Sequence, residues 1–386
     1  MTKTTQYKNT AIGLIPTDWE VKKLGDIFKL TSGKTKPSNL YENKNIFKQY
    51  PVYGGNGIIG YSEEYNCSNE IIVIGRVGEN CGVTRFINEK CWITDNALYT
   101  KDFLCNINIE FLAMKLQFID LSKLRSKGGQ PLISQIPIHS FVTSLPPLPE
   151  QQKIAEILST WNKAIQETDA IIKKLEDRNK ALANKLFEEN NWQINKLSDL
   201  FERITDKNKE GNTTVTTISA KHGFIRQEDF FNKTVASKDL SNYYLINKGD
   251  FCYNKSYSKD YDWGVVKRLN DFEKAVVTTL YICFRFKDNS QNSDFWELYF
   301  ENKILDKGLS KVAQEGGRAH GLLNVTSGDF FGIKVKVPSL EEQNAIAEIL
   351  NTANQEVKQY QQKLQALKLQ KKGLMQQLLT GKVRTV

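Results

Sequence analysis

A heptad seam runs unbroken from Glu150 to Phe187. Ile154, Leu158, Trp161, Ile165, Thr168, Ile172, Leu175, Asn179, Leu182 and Leu186 follow one another at alternating spacings of four and three, the pattern of a helix that buries one stripe against another helix. No glycine or proline interrupts the segment. At about 1.5 Å per residue it predicts a rod of roughly 57 Å, too long to be covered by an ordinary core. Such a rod needs a partner.

The partner lies 192 positions further on. Pro146 to Leu158, PPLPEQQKIAEIL, reappears as PSLEEQNAIAEIL at Pro338 to Leu350. The same offset carries the seam onto Ile346, Leu350, Ala353, Val357, Tyr360, Leu364, Leu367, Lys371, Leu374 and Leu378. Asn179 and Lys371 occupy the same heptad position, and a lone polar group in a seam fixes register at some cost in stability. A second offset links the segments before the rods. Trp19, Lys23, Leu24, Asp26 and Phe28 map onto Trp192, Lys196, Leu197, Asp199 and Phe201 at a shift of 173. The repeating unit is therefore a globule followed by a rod. Its second globule is longer by 19 residues.

This organisation predicts four segments: a globule at 1–149, a rod at 150–190, a second globule at 191–340, and a rod with its tail at 341–386. Each globule reads as mixed α/β (α+β) with much loop. Strand candidates in the first are Ile71–Gly75 and Cys91–Ala97, after a glycine-rich turn at Tyr53–Tyr61; in the second they are Val215–Ala220, Phe251–Tyr253, Gly264–Lys267 and Val276–Phe286. Near each exit stands a paired glycine, Lys127-Gly128-Gly129-Gln130 and Glu315-Gly316-Gly317-Arg318. For the two seams to meet, connectivity requires the rods to run antiparallel. That predicts globules separated by a spacer, pseudo-twofold and nearly circular symmetry, a tail returning beside Trp19, and Lys371 near Trp161 in a cation-π contact.

Catalytic signatures are missing. Gly33-Lys34-Thr35 resembles the end of a phosphate-binding loop, but Phe28 stands where the leading glycine is needed. Asn254-Lys255-Ser256-Tyr257 has neither proline of the loop with which amino-methyltransferases grip a flipped base. The three histidines, His139, His222 and His320, fit no triad or metal pair. The six cysteines form no C-x-x-C pair, so reduced thiols and no zinc site are expected. No apolar run is long enough to span a membrane and the first ten residues are polar, so a cytoplasmic protein is expected. A net charge of +9 is compatible with a polyanionic ligand without requiring one.

Two related but divergent globules on one spacer suit a linear ligand read at two places. A rod of this length covers roughly one to one and a half turns of duplex, and half-sites about 34 Å apart present the same groove on the same side. The duplicated L-P-E-Q-x-x-I-A-E-I-L helix start, the W-x-x-x-x-L-x-D-x-F globule starts and the run from Gly223 to Leu240 resemble the specificity subunit of type I restriction-modification systems. The resemblance covers essentially the whole chain. It implies two target-recognition domains, each reading half of a split site in double-stranded DNA. It also implies two helices that act as spacer and as docking surface for two modification subunits and for restriction subunits. Adenine methylation and ATP-driven cleavage would belong to those partners, with S-adenosylmethionine, ATP and magnesium bound there and no cofactor in this chain. One departure is Trp161, which becomes Ala353 in the second rod.

Loop cations and amides beside glycine or aromatic residues are the candidate DNA contacts, because a pliant backbone approaches phosphate while Arg, Lys, Asn, Gln and Tyr reach base edges. In the first globule these are Lys34, Lys36, Asn56, Arg76, Arg85, Lys127 and Gln130. In the second they are Lys221, His222, Arg226, Lys255, Tyr257, Lys259, Arg318 and His320, with Gln130 and Arg318 foremost. The competing readings are a structural adaptor whose globules bind protein, and a degenerate methyltransferase.

Overall fold

The computed structural model describes residues 6–47, 49–126, 129–188, 191–231, 239–257, 260–313 and 323–385. The chain divides into two units, residues 1–169 with 362–386, and residues 170–361. Each unit holds one globule and one end of each long helix.

The first unit is built on a four-stranded antiparallel sheet in the order Phe28–Ser32, Ala97–Phe103, Ile71–Gly75, Thr84–Ile87. One face, with Ile72, Ile74 and Leu98, packs on the helix Ile109–Ile119 and on Ile154, Leu158, Leu378 and Leu379 of the long helices. The other face, with Ile71, Val73 and Ala97, packs on Tyr53 and Ile93. Those two residues belong to a three-stranded sheet made by the hairpin Tyr50–Gly54/Gly57–Ser62 and the short strand Trp92–Ile93.

The second unit repeats the plan. Its sheet runs Phe201–Ile204, Ile282–Phe286, Phe251–Asn254, Val265–Arg268, again antiparallel throughout. One face carries Phe201, Phe251, Tyr253 and Phe284 onto the helix Ser293–Glu301 and onto Ala183, Phe187, Ile346 and Leu350. The other face, with Cys252 and Cys283, packs on Ile218 and Ile246 of two hairpin-like pairs, Thr216–Ser219 with Gly223–Arg226 and Tyr244–Asn247 with Lys274–Val277. Sequence offsets and strand order thus agree. Glu20–Lys23 pairs with Val142–Leu145 in one unit, and Gln193–Lys196 pairs with Lys334–Val337 in the other.

The long helices span Leu148–Phe187 and Leu340–Leu378. The first starts after Pro146-Pro147; the second starts on a Ser339–Glu342 capping box, with the Ser339 amide 2.9 Å from the Glu342 carboxylate. Beyond the end of the second, Gly381 takes the left-handed conformation, with a φ of +74°, that turns the chain out of the helix. All twenty seam positions are buried or half-buried. Within the second unit, Glu176 meets Gln361, Arg178 meets Glu356 at 2.8 Å and Asn179 donates to Asn354 at 3.2 Å. Positions rise on one helix as they fall on the other, so the pairing there is antiparallel. In the first unit Ile154 and Leu158 share one core with Leu374 and Leu378, the same sense.

Two strand expectations need correction. Cys91–Ala97 is a strand only at Trp92–Ile93; a turn at Thr94–Asn96 follows, and Ala97 opens a different strand. Val276–Phe286 splits into Lys274–Val277 and Ile282–Phe286, because a turn at Thr278–Tyr281, closed by the Thr278 hydroxyl on the Leu280 amide, passes the chain from one sheet to the other. Nor does Lys371 sit over Trp161 among the described residues. The Lys371 stem is half-buried and desolvation lowers its pKa.

Candidate nucleic-acid interface

In the first unit three strands end side by side, at Ser32, Gly54 and Gly75, where the strand Ala97–Phe103 begins. The loops that leave these ends are tied by backbone bonds. The Lys34 amide donates to the Ile93 carbonyl, the Arg76 amide to Asn96, the Thr94 amide to Tyr53 and the Ile133 amide to the Arg76 carbonyl. Close approach explains the glycines here: a Cβ on Gly33 would stand 2.3 Å from the Thr94 carbonyl oxygen, and one on Gly75 2.6 Å from that of Asn80. Lys34, Lys36, Asn56 and Gln130 are exposed on this loop cluster, and Arg76 is half-buried beside them. Asn56 accepts from the Asn80 amide at 2.8 Å, and Arg76 donates to the Ser32 hydroxyl at 3.2 Å. Arg85 is half-buried on the edge strand Thr84–Ile87.

In the second unit Lys255 follows the strand Phe251–Asn254 as Arg76 follows Ile71–Gly75. The Leu323 amide donates to the Lys255 carbonyl at 3.0 Å, as the Ile133 amide does to that of Arg76 at 2.9 Å. These two cations occupy equivalent places. The Asn254 amide reaches the Ile218 carbonyl at 3.4 Å and so links this loop to the hairpin that bears Lys221 and His222 at its exposed turn and Arg226 on its second strand. Arg226 is engaged with Glu228 at 3.9 Å and stacks over Phe272. Tyr257 is exposed. Lys127, Lys259, Arg318 and His320 lie outside the described residues. No group of three or more metal-ligating side chains occurs among the described residues, and no described helix is long and apolar enough to cross a membrane.

A second constellation joins each globule to its long helix. Gln151 accepts from the Asn108 amide at 3.0 Å and donates to the Pro146 carbonyl at 2.9 Å; Gln343 does the same to Asn292 and Pro338, at 2.9 and 3.0 Å. Asn108 and Asn292 cap the two equivalent helices at 2.8 Å. In the first unit the tail completes the join. Glu150, with no exposed surface, accepts from Trp19 Nε1 at 2.9 Å and from Arg384 Nε at 2.7 Å and Nη2 at 2.9 Å. Arg384 also meets Asp18 at 2.6 Å, and these carboxylates hold its pKa above the usual arginine range. Lys115, buried 5.4 Å from the Trp19 ring centroid, donates to Ser144 and to the Leu379 carbonyl. Its burial pushes its pKa down to about 8. The tail does return beside Trp19. Sequence reasoning singled out none of Glu150, Gln151, Lys115 and Arg384, although the repeated Glu-Gln of the two helix starts was a visible signal for the first pair.

One sheet plan used twice, with a cation at the end of the same strand and different loops around it, defines an internally duplicated protein. The family described as type I restriction modification DNA specificity domain matches residues 16–177 and again 189–369, and the chain belongs to that family, the specificity subunits of type I restriction-modification systems. The specificity subunit of type I restriction enzyme EcoprrI from Escherichia coli is 30% identical over 142 residues, spanning only 36% of this chain and 35% of that protein. That of MjaVIII from Methanocaldococcus jannaschii is 25% identical over 96% of this chain and 94% of its own. Among solved structures, the S subunit from M. genitalium aligns with a TM-score of 0.61 at 16% identity over 97% of this chain and 99% of that one. A chain from a structure of type I system assembly and conformational transition aligns at 0.54 and 13% identity, over 96% and 99%. At such identities the likeness concerns the fold.

Proposed function

We propose that this chain is the subunit that supplies sequence specificity to a type I restriction-modification complex, reading a bipartite, asymmetric site in duplex DNA. The first unit reads one half-site and the second unit the other, each through the loops at its strand ends. The observation that carries this reading is the equivalence of Arg76 and Lys255. Each follows the same strand of the duplicated sheet and is held by the same backbone bond, while the loops around them have unrelated sequences. A common frame with unlike loops is what two unlike half-sites require. Family membership favours this over an adaptor that binds only proteins.

In this reading the chain performs no chemistry. Methyl transfer to adenine, with S-adenosylmethionine, and ATP- and magnesium-dependent cleavage fall to modification and restriction subunits docked on the long helices, and the complex works in the cytoplasm. The candidate contacts are those named above, with Arg76 and Lys255 now joining Gln130 and Arg318 in front. Mapping methylated adenines in cells that express the chain with its partner subunits tests the whole proposal. Two short, unequal sequences separated by a fixed unspecified spacer are expected. A single contiguous motif, or methylation indifferent to which specificity chain is present, would refute it.

A further inference from the structure

The duplication supplies an internal control for one cation. In the second unit the edge strand and the helix beside it are joined by three ion pairs: Lys267 with Glu301 at 3.0 Å, and Arg268 with Asp294 at 2.7 Å and with Glu297 at 2.5 Å. The capping asparagines Asn108 and Asn292 align the two helices, so Glu110, Ala113 and Gln117 stand where the second unit has Asp294, Glu297 and Glu301. Sheet register aligns the edge strands. Arg85 pairs with Val73 as Lys267 pairs with Cys252, and Phe86 takes the place of Arg268. The first unit has therefore kept one cation and lost the carboxylate opposite it.

What stands there instead is a cavity of about 720 Å³. Gln117 turns its amide to the Thr84 carbonyl, and Glu110 is engaged by the Ser159 hydroxyl. Arg85 lines the cavity with no carboxylate paired to it among the described residues, and its Nη1 is buried without a hydrogen-bond acceptor. Desolvation holds its pKa below the usual arginine value. Arg85 is half-buried, and a desolvated guanidinium nitrogen without an acceptor is destabilising unless an anion completes it. Asn162 and Lys163 of the first long helix also line it, with Lys163 4.0 Å from the exposed Glu167 carboxylate. The turn bearing Asn56 lies close by, since a Cβ on Gly57 would be 3.6 Å from the Arg85 guanidinium.

We propose that this cavity is a phosphate seat, in which Arg85, assisted by Lys163, grips one phosphodiester of the DNA backbone next to the half-site read by the first unit. The guanidinium fork matches a phosphate in two parallel hydrogen bonds, and a backbone contact fixes the position of the reading loops without adding sequence information. The inference rests on the DNA-specificity reading. It makes the two units unequal: the second closes this place with its own carboxylates.

The test uses the full-length chain, a labelled random-sequence duplex and a series of salt concentrations, with Arg85→Gln and Gln117→Glu as variants. Gln117→Glu restores the carboxylate of the second unit, so it should fold at least as stably as wild type while closing the seat. Each variant is expected to flatten the slope of log affinity against log salt by about 0.9, and to weaken binding about five-fold near 0.15 M salt, the share of one phosphate contact. Wild-type affinity and slope in both variants would overturn the phosphate seat and leave the DNA reading intact. Unchanged duplex binding with lost modification-subunit binding would overturn it too, by assigning Arg85 to a protein carboxylate. Failure of the wild-type chain to bind duplex in a salt-dependent way would instead overturn the DNA reading itself, and the seat with it.

Discussion

Truncating Arg384 to alanine isolates what the tail contributes. Glu150 has no exposed surface, and two of its three side-chain hydrogen-bond donors belong to Arg384; the third is the Trp19 indole. Removing the guanidinium strands a carboxylate that water reaches poorly, and breaking a buried pair in this way costs about 3–5 kcal/mol. The Arg384 side chain keeps 13% exposure and shares a second carboxylate, Asp18, at the surface, so the lower end, about 3 kcal/mol, is expected. For a unit of this size that corresponds to a fall of roughly 6–12 °C in the melting temperature of the first unit. Differential scanning calorimetry of the full chain gives the number. Adding Glu150→Gln to Arg384→Ala should recover part of the loss, because an amide can stay buried beside Trp19 without carrying charge. A shift under about 2 °C for Arg384→Ala, or a double variant less stable than the single one, would refute the buried-pair account.

Lys115 gives a pH signature. Its folded pKa of about 8 lies below the ordinary 10.5 of an unfolded lysine, so between those values the unfolded chain holds more protons. Stability of the first unit should therefore rise from about pH 8 towards 10.5, and Lys115→Met should abolish that rise in urea titrations. Gln343→Ala should cost about 2–3 kcal/mol by orphaning the Asn292 amide and the Pro338 carbonyl, with Gln151→Ala costing a similar amount in its own unit; a urea midpoint unchanged in either would contradict the shared role. Arg76→Ala should relax or weaken recognition of one half-site and Lys255→Ala the other, read as methylation at sites degenerate in one half. Equal loss at both halves in either variant would count against their assignment to separate units.

Much of this architecture was legible because it rests on periodicity and repetition, which survive in one dimension. A seam of alternating threes and fours leaves a helix no face to bury but that one, and all twenty of its positions are at least half-buried. The offsets of 173 and 192 mark equivalent strands and helices in the sequence alone. Strand limits were harder where apolar residues run on through a turn, as at Val276–Phe286: the backbone there changes sheets while hydropathy does not change. The paired roles of Arg76 and Lys255 were hidden for a related reason. Their neighbours in sequence differ, and only the shared strand end and the backbone bond behind it make them twins.

Charge pairing was decided by the tertiary structure alone. Glu150 is one acidic residue among many until Arg384, 234 positions away, is folded against it. Arg85 and Lys267 are both cations on edge strands, yet one faces Gln117 and the other Glu301, and that contrast emerges only when helix and strand are brought side by side. Heptads and repeats are carried by local order along the chain. Whether a buried charge is neutralised depends on which distant group shares its low-dielectric surroundings, and no spacing in the sequence records that.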